Sequence, residues 1–227
     1  MTTLCSAYSG TAQLMTPLVS ALYKLLVSFH IGDIEVFGSY AHGLFVQGHS
    51  KIDINISNKF CRQLLIYAAD MKLKAANIIS TVVFTGAGSP LCIEIPTRFV
   101  VFKLSFNNTP AVLSSRYLRE MFHHDVLRLV VYNVKITLAL LVQTYGEWLA
   151  IDSYTMSLLA INFFATAARG VTPEQHMRSF VRYLRDTLHT KVPLLTNPFS
   201  RSRCNLLKNR DAFEWTVGEL AKIFAVP

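Results

Sequence analysis

Residues 36–57 read VFGSYAHGLFVQGHSKIDINIS, and the fold turns on this stretch. Ile34-Glu35-Val36-Phe37 has the apolar run of a short strand and ends in Gly38-Ser39. Ile52-Asp53-Ile54-Asn55-Ile56 alternates strictly between apolar and polar residues, the pattern of a strand with one face buried. Residues i and i+2 of a strand share a face, so the polar side chains at 51, 53 and 55 project together. Upstream, apolar residues from Leu14 to Phe29 fall at helical spacing, and Pro17 suits the first turn of that helix. Downstream, residues 60–76 read as a helix, and 78–85, 91–95 and 99–106 as β-rich runs.

After Pro110 the pattern turns helical, over 114–148, 152–168, 173–189 and 211–224, with a loop at 196–210. Thr172, Pro173 and Gln175 form a capping box at the start of the third helix. The expected architecture is α+β: a mixed-sheet domain over 1–110 and a helical domain over 111–227.

Composition narrows the classes further. Of 227 residues, 52% are hydrophobic and only 16% charged, against about 25% charged in an average globular chain. Such a chain is not disordered, and much of its surface is apolar or covered by partners. The 22 Lys and Arg outnumber the 14 Asp and Glu, giving a formal charge of +8 that favours an anionic partner. Four scattered cysteines, with no CxxC pair, make a disulfide framework or zinc site unexpected and indicate an intracellular protein. Arg128, Lys135 and Asn162 interrupt the longest apolar stretches, so no membrane span is expected. The first 32 residues hold no acid and one lysine, which has the acid-poor character of a mitochondrial leader without its arginines.

The quoted stretch resembles the signature of the DNA-polymerase-β-like nucleotidyltransferases, most nearly the terminal uridylyltransferases and non-canonical poly(A) polymerases. In that family Gly-Ser holds a nucleotide triphosphate. An Asp-x-Asp pair on the next strand, with a third carboxylate from a neighbouring strand, binds metal ions. The resemblance continues through Phe102 to Asn108, the stretch of the third carboxylate, and through Leu129 to Lys135, the helix whose lysine reaches the triphosphate. Asp152-Ser153-Tyr154 resembles the turn whose aromatic ring stacks on the base. Val192 to Leu195 and Thr216 to Leu220 resemble pieces of the helical PAP-associated domain, which the chain is expected to carry in shortened form. The nucleotide-binding residues implied are Gly38, Ser39, Asn108, Lys135, Ser153 and Tyr154.

The carboxylate positions depart from the pattern. They read Lys51, Asp53 and Lys103, a net positive set where the family has three acids. Two ammoniums oppose a divalent cation at any plausible dielectric, and phosphoryl transfer of this kind depends on such ions. No intact catalytic set, no metal and no cofactor is therefore expected, with Mg²⁺ entering only if the chain is active. A register shifted by one residue in the 40–50 loop would offer Asp53 and Asn55 instead, still without a third acid. Lys51 and Lys103 could lie in solvent, converge on Asp53, or hold a phosphate directly. Glu94 stands where the family usually shows a basic residue.

Residues 169–210 hold nine Lys or Arg against two acids. Arg178, Arg182 and Arg185 recur on one helix face, and Arg201, Arg203, Lys208 and Arg210 extend the charge. This is either a solvated face or a contact for an RNA backbone. The expectation is a catalytically inactive nucleotidyltransferase-like subunit of a ribonucleoprotein or RNA-processing assembly, bound to other proteins and to RNA rather than DNA. An active RNA 3′-terminal uridylyl- or adenylyltransferase is the alternative, and a nucleotide sensor using Ser39, Asn108, Lys135 and Tyr154 is a third.

Overall fold

The computed structural model describes residues 2–146, 153–166, 171–189, 194–196, 203–205 and 210–226. Two compact units divide the chain at residues 119 and 120.

The first unit is built on a five-stranded mixed sheet in the order β1-β2-β5-β4-β3. Its strands are β1 (Asp33–Phe37), β2 (Ile52–Ser57), β3 (Thr81–Phe84), β4 (Pro90–Pro96) and β5 (Val101–Phe106). Only the β2–β5 pairing is parallel. Alternation along β2 sends Ile52, Ile54 and Ile56 to one face, where Phe102, Leu104 and Phe106 of β5 and Ile93 and Ile95 of β4 join them. Helices α1 (Thr2–Ser28) and α3 (Arg62–Ala75) bury Met15, Val19, Leu22, Leu26, Leu65, Ile66, Ala69 and Leu73 in the same core. Asp53, Asn55, Lys103 and Ser105 occupy the alternate positions and face the other way. The four-residue helix α2 (Gly38–Ala41) follows β1, and α4 (Thr109–Met121) follows β5.

The second unit is helical, with α5 (Asp125–Tyr145), α6 (Ser153–Thr166), α7 (Pro173–His189) and α8 (Arg210–Ile223). Phe180, Val181, Leu184, Phe213, Val217 and Leu220 are among its buried residues. The capping box of α7 forms as its sequence indicates: the Gln175 amide donates to Thr172 Oγ1 at 3.3 Å, and the Thr172 amide to Gln175 Oε1 at 2.9 Å.

Four boundaries differ from the sequence reading. Helix α1 starts at Thr2, which leaves Pro17 inside the helix rather than in its first turn. The loss of one helical hydrogen bond at Pro17 is offset by the burial of Met15, Val19, Leu22 and Leu26 around it. The long helix expected over 114–148 is broken at 122–124, where His124 is extended (φ −77°, ψ 107°) and Phe122 is buried. Helix α4 falls mainly in the first unit, past the boundary that the composition shift placed at Pro110. The loop at 196–210 contains parts of a small antiparallel pair, β6 (Leu194–Thr196) with β7 (Arg203–Asn205). None of the described helices is long and apolar enough to cross a membrane.

Candidate functional site

Cross-strand register gathers the site. In one row across the sheet, Phe37 of β1 pairs with Asp53 of β2, Asp53 with Lys103 of β5, Lys103 with Glu94 of β4, and Glu94 with Thr81 of β3. Partners in a row share a face, so Asp53, Lys103 and Glu94 stand side by side on the face opposite the apolar core. Asp53 and Lys103 are both half-buried.

The turn after β1 closes on this row. Gly38 has φ +72°, and a Cβ built on it would lie 2.5 Å from Asp53 Oδ2. Only glycine lets the Asp53 carboxylate approach the backbone this closely. The Gly38 amide donates to the hydroxyl of buried Ser115, on α4, at 2.8 Å. Ser39 is half-buried beside it, and its carbonyl accepts from the Leu44 amide at 2.8 Å.

Lys51 sits just before β2, and its Nζ lies 2.5 Å from Glu94 Oε1, two strands away. Their side chains are 48% and 28% exposed. Lys51 and Lys103 therefore do not both converge on Asp53 as a Lys-Asp-Lys cluster; Glu94 takes Lys51. The reason lies in the strand order: β4 lies beyond β5 in the sheet, and Glu94, Lys103 and Asp53 point to the same side. Two departures from the resembled pattern, a base at 51 and an acid at 94, are thus partners. With Glu94 included, the four charges of Lys51, Asp53, Lys103 and Glu94 balance. Below them Cys92 is buried, and burial pushes its thiol above the usual range, opposed chiefly by Lys103.

This donor set does not fit a pair of divalent ions. Mg²⁺ takes oxygen ligands, and here Lys103 stands between the two acids in the row while the Lys51 ammonium occupies one of them. Among the described residues no three of His, Cys, Asp and Glu converge on a point that could hold a metal ion.

The remaining residues fall in several places. Asn108 is half-buried after β5, and its amide donates to Asn55 Oδ1 at 3.0 Å. Asn107 adopts φ +51°, accepts from the Asn58 amide at 2.9 Å and donates to the Phe60 carbonyl at 2.9 Å. Asn107 thus ties the end of β5 to the β2–α3 connection, and the backbone of Asn108 ties it to β2. Lys135 is half-buried on α5, Tyr154 is half-buried at the start of α6, and Ser153 is the first residue of α6. These three belong to the second unit. His124 precedes α5, and Asp125 pairs with Arg128 at 2.8 Å.

Arg178 and Arg182 are exposed on α7, Arg185 is half-buried, and Met177, Phe180, Val181 and Leu184 line the buried side of that helix. Arg178 also pairs with Glu174 at 2.9 Å. Arg203 lies in β7 and Arg210 opens α8, their side chains outside the described residues, as are Arg201 and Lys208 altogether. The sequence reading missed the Ser115 hydroxyl under Gly38 and the Lys51–Glu94 pair. The alternation of 91–95 was the one signal for the latter, since it fixes which face Glu94 takes.

No protein-family model matches the chain, and no curated protein sequence does. Solved structures do. A STING-associated CdnE c-di-GMP synthase from Capnocytophaga granulosa superposes with a TM-score of 0.72 at 12% identity, over 91% of this chain and 79% of that one. The polymerase core of TRAMP, an RNA surveillance complex, gives 0.64 at 16% identity over 94% and 78%. A cytoplasmic RNA terminal U-transferase gives 0.64 at 14% identity over 82% and 70%. With its mixed sheet, its Gly-Ser turn and its helical second unit, the chain has the α+β fold of the DNA-polymerase-β-like nucleotidyltransferases, the fold that its sequence resembles.

Proposed function

We propose that this chain is a nucleotidyltransferase-fold protein that transfers no nucleotide and serves as a structural or RNA-contacting subunit of a ribonucleoprotein or RNA-processing assembly. One observation carries the reading: Lys103 stands between Asp53 and Glu94 in the row where the family would chelate metal, and Lys51 is bound to Glu94. Without divalent ions to orient the nucleophile and neutralise the leaving pyrophosphate, the in-line displacement loses its main source of stabilisation. The exposed Arg178 and Arg182 support contact with an RNA backbone. The scarcity of charge supports a surface shared with other subunits. The acid-poor first 32 residues support a mitochondrial setting.

The test is incubation of the purified chain with labelled UTP or ATP, a short RNA, and Mg²⁺ or Mn²⁺. No incorporation above the protein-free control is expected. Incorporation that disappears in Asp53→Ala would overturn the reading and establish the active transferase instead.

A further inference from the structure

Helix α3 is apolar on both sides. Leu65, Ile66, Ala69 and Leu73 are buried against the sheet. On the outer side, Leu64, Tyr67 and Met71 are 60%, 51% and 72% exposed. These three recur at i, i+3 and i+7, so they form a single ridge along the helix. Phe60, 62% exposed, precedes the ridge. A helix that needs only to cover a sheet would carry polar residues on that side.

The charge around the ridge has one sign. Lys59, Lys72 and Lys74 are exposed, Lys72 packing over the Phe29 ring at 5.8 Å, while Arg62 turns to the sheet side and donates to the Leu91 carbonyl. Between residues 54 and 93 the sole acid is Asp70. Asp70 is buried, accepting from Lys74 Nζ at 2.6 Å and from the Ser80 hydroxyl at 3.0 Å, so it presents little charge outward.

From the ridge and its basic border we infer that the outer face of α3 docks an amphipathic helix of another protein, one with an apolar seam flanked by Asp and Glu. An i, i+3, i+7 ridge is the shape a helix groove accepts. The cations around it select an acidic border and steer its approach. A second copy of this chain would bring the same lysines together, a repulsion added to a formal charge of +8. The inference does not use the sheet site and stands apart from the question of catalysis.

Two synthetic helical peptides test it, identical in a leucine seam and differing in flanks, one glutamate and the other lysine. Each is labelled and titrated with the full chain by fluorescence anisotropy. The glutamate peptide is expected to bind at least tenfold more tightly than the lysine peptide, and to weaken as salt rises. Tyr67→Glu and Met71→Glu, both at exposed positions, are each expected to lower its affinity at least tenfold with unchanged circular dichroism. The double variant Lys59→Glu/Lys72→Glu is expected to reverse the preference between the peptides, a readout that misfolding cannot mimic. Equal binding of both peptides, no binding of either, or binding unaffected by the ridge variants overturns the inference. So does self-association by sedimentation that the ridge variants abolish, which would make a second copy the occupant. Loss of binding to a labelled single-stranded RNA in the ridge variants, with the peptides unbound, would make RNA the occupant.

Discussion

Asp53 and Gly38 are in such close approach that a Cβ on the glycine would lie 2.5 Å from the aspartate Oδ2. Any side chain at 38 must also adopt φ +72°, where L-residues are strained. Gly38→Ala is expected to lower stability by about 1–3 kcal/mol, from backbone strain and from the displaced carboxylate. Urea denaturation measures it; an unchanged midpoint would mean that Asp53 moves away at no cost.

The same turn depends on Ser115 from the other side. The hydroxyl of this buried serine accepts from the half-buried Gly38 amide at 2.8 Å. Ser115→Ala strips that amide of its acceptor, a loss of about 1–3 kcal/mol. Denaturation of Ser115→Ala and of the Ser115→Ala/Gly38→Ala pair should show non-additive losses, since both act on one turn.

Lys51 and Glu94 form a contact of 2.5 Å, yet Lys51 is nearly half exposed. Solvent screening limits such a pair to roughly 0.2–1 kcal/mol. A double-mutant cycle with Lys51→Met and Glu94→Gln is expected to return a coupling in that range which shrinks in high salt. A coupling several times larger would mark the pair as shielded and structural.

Thiol chemistry separates two cysteines. Cys61 is exposed, whereas Cys92 is buried and its thiol is pushed above the ordinary range, first by burial. A raised pKa leaves less thiolate at a given pH, and the thiolate is the nucleophile. At pH 8 the folded protein is expected to react with a disulfide reagent rapidly at Cys61 and far more slowly at Cys92, with the difference erased in denaturant. Mass spectrometry of the labelled peptides reads this directly.

The parts of the fold legible in the sequence are those whose burial has a period. The alternation of Ile52, Ile54 and Ile56 marked β2, and the stretch 60–76 that reads as a helix holds α3, which buries Leu65, Ile66, Ala69 and Leu73. The break between α4 and α5 was not legible, because no Pro or Gly lies between Pro110 and Gly146 and the interruption follows from burying Phe122. Pro17 carried a start signal that the long packed face of α1 overrides. Three-residue strands such as β6 and β7 are too short to show a period. In the candidate site, the Gly-Ser turn and the lysines at 51 and 103 were readable as residue types. Their partners were not: Lys51 and Glu94 are 43 residues apart, and only the order β2-β5-β4 brings them together.

That pairing sets what a change of charge at this site does to the sheet. Replacing Lys51 and Lys103 by aspartates would place four carboxylates on one side of the sheet and remove the Lys51 ammonium that pairs with Glu94. Mutual repulsion would then raise the acids' proton affinities, a strain that a bound cation would relieve. A reversal of charge at 51 is therefore felt at 94 as well, two strands away in the sheet.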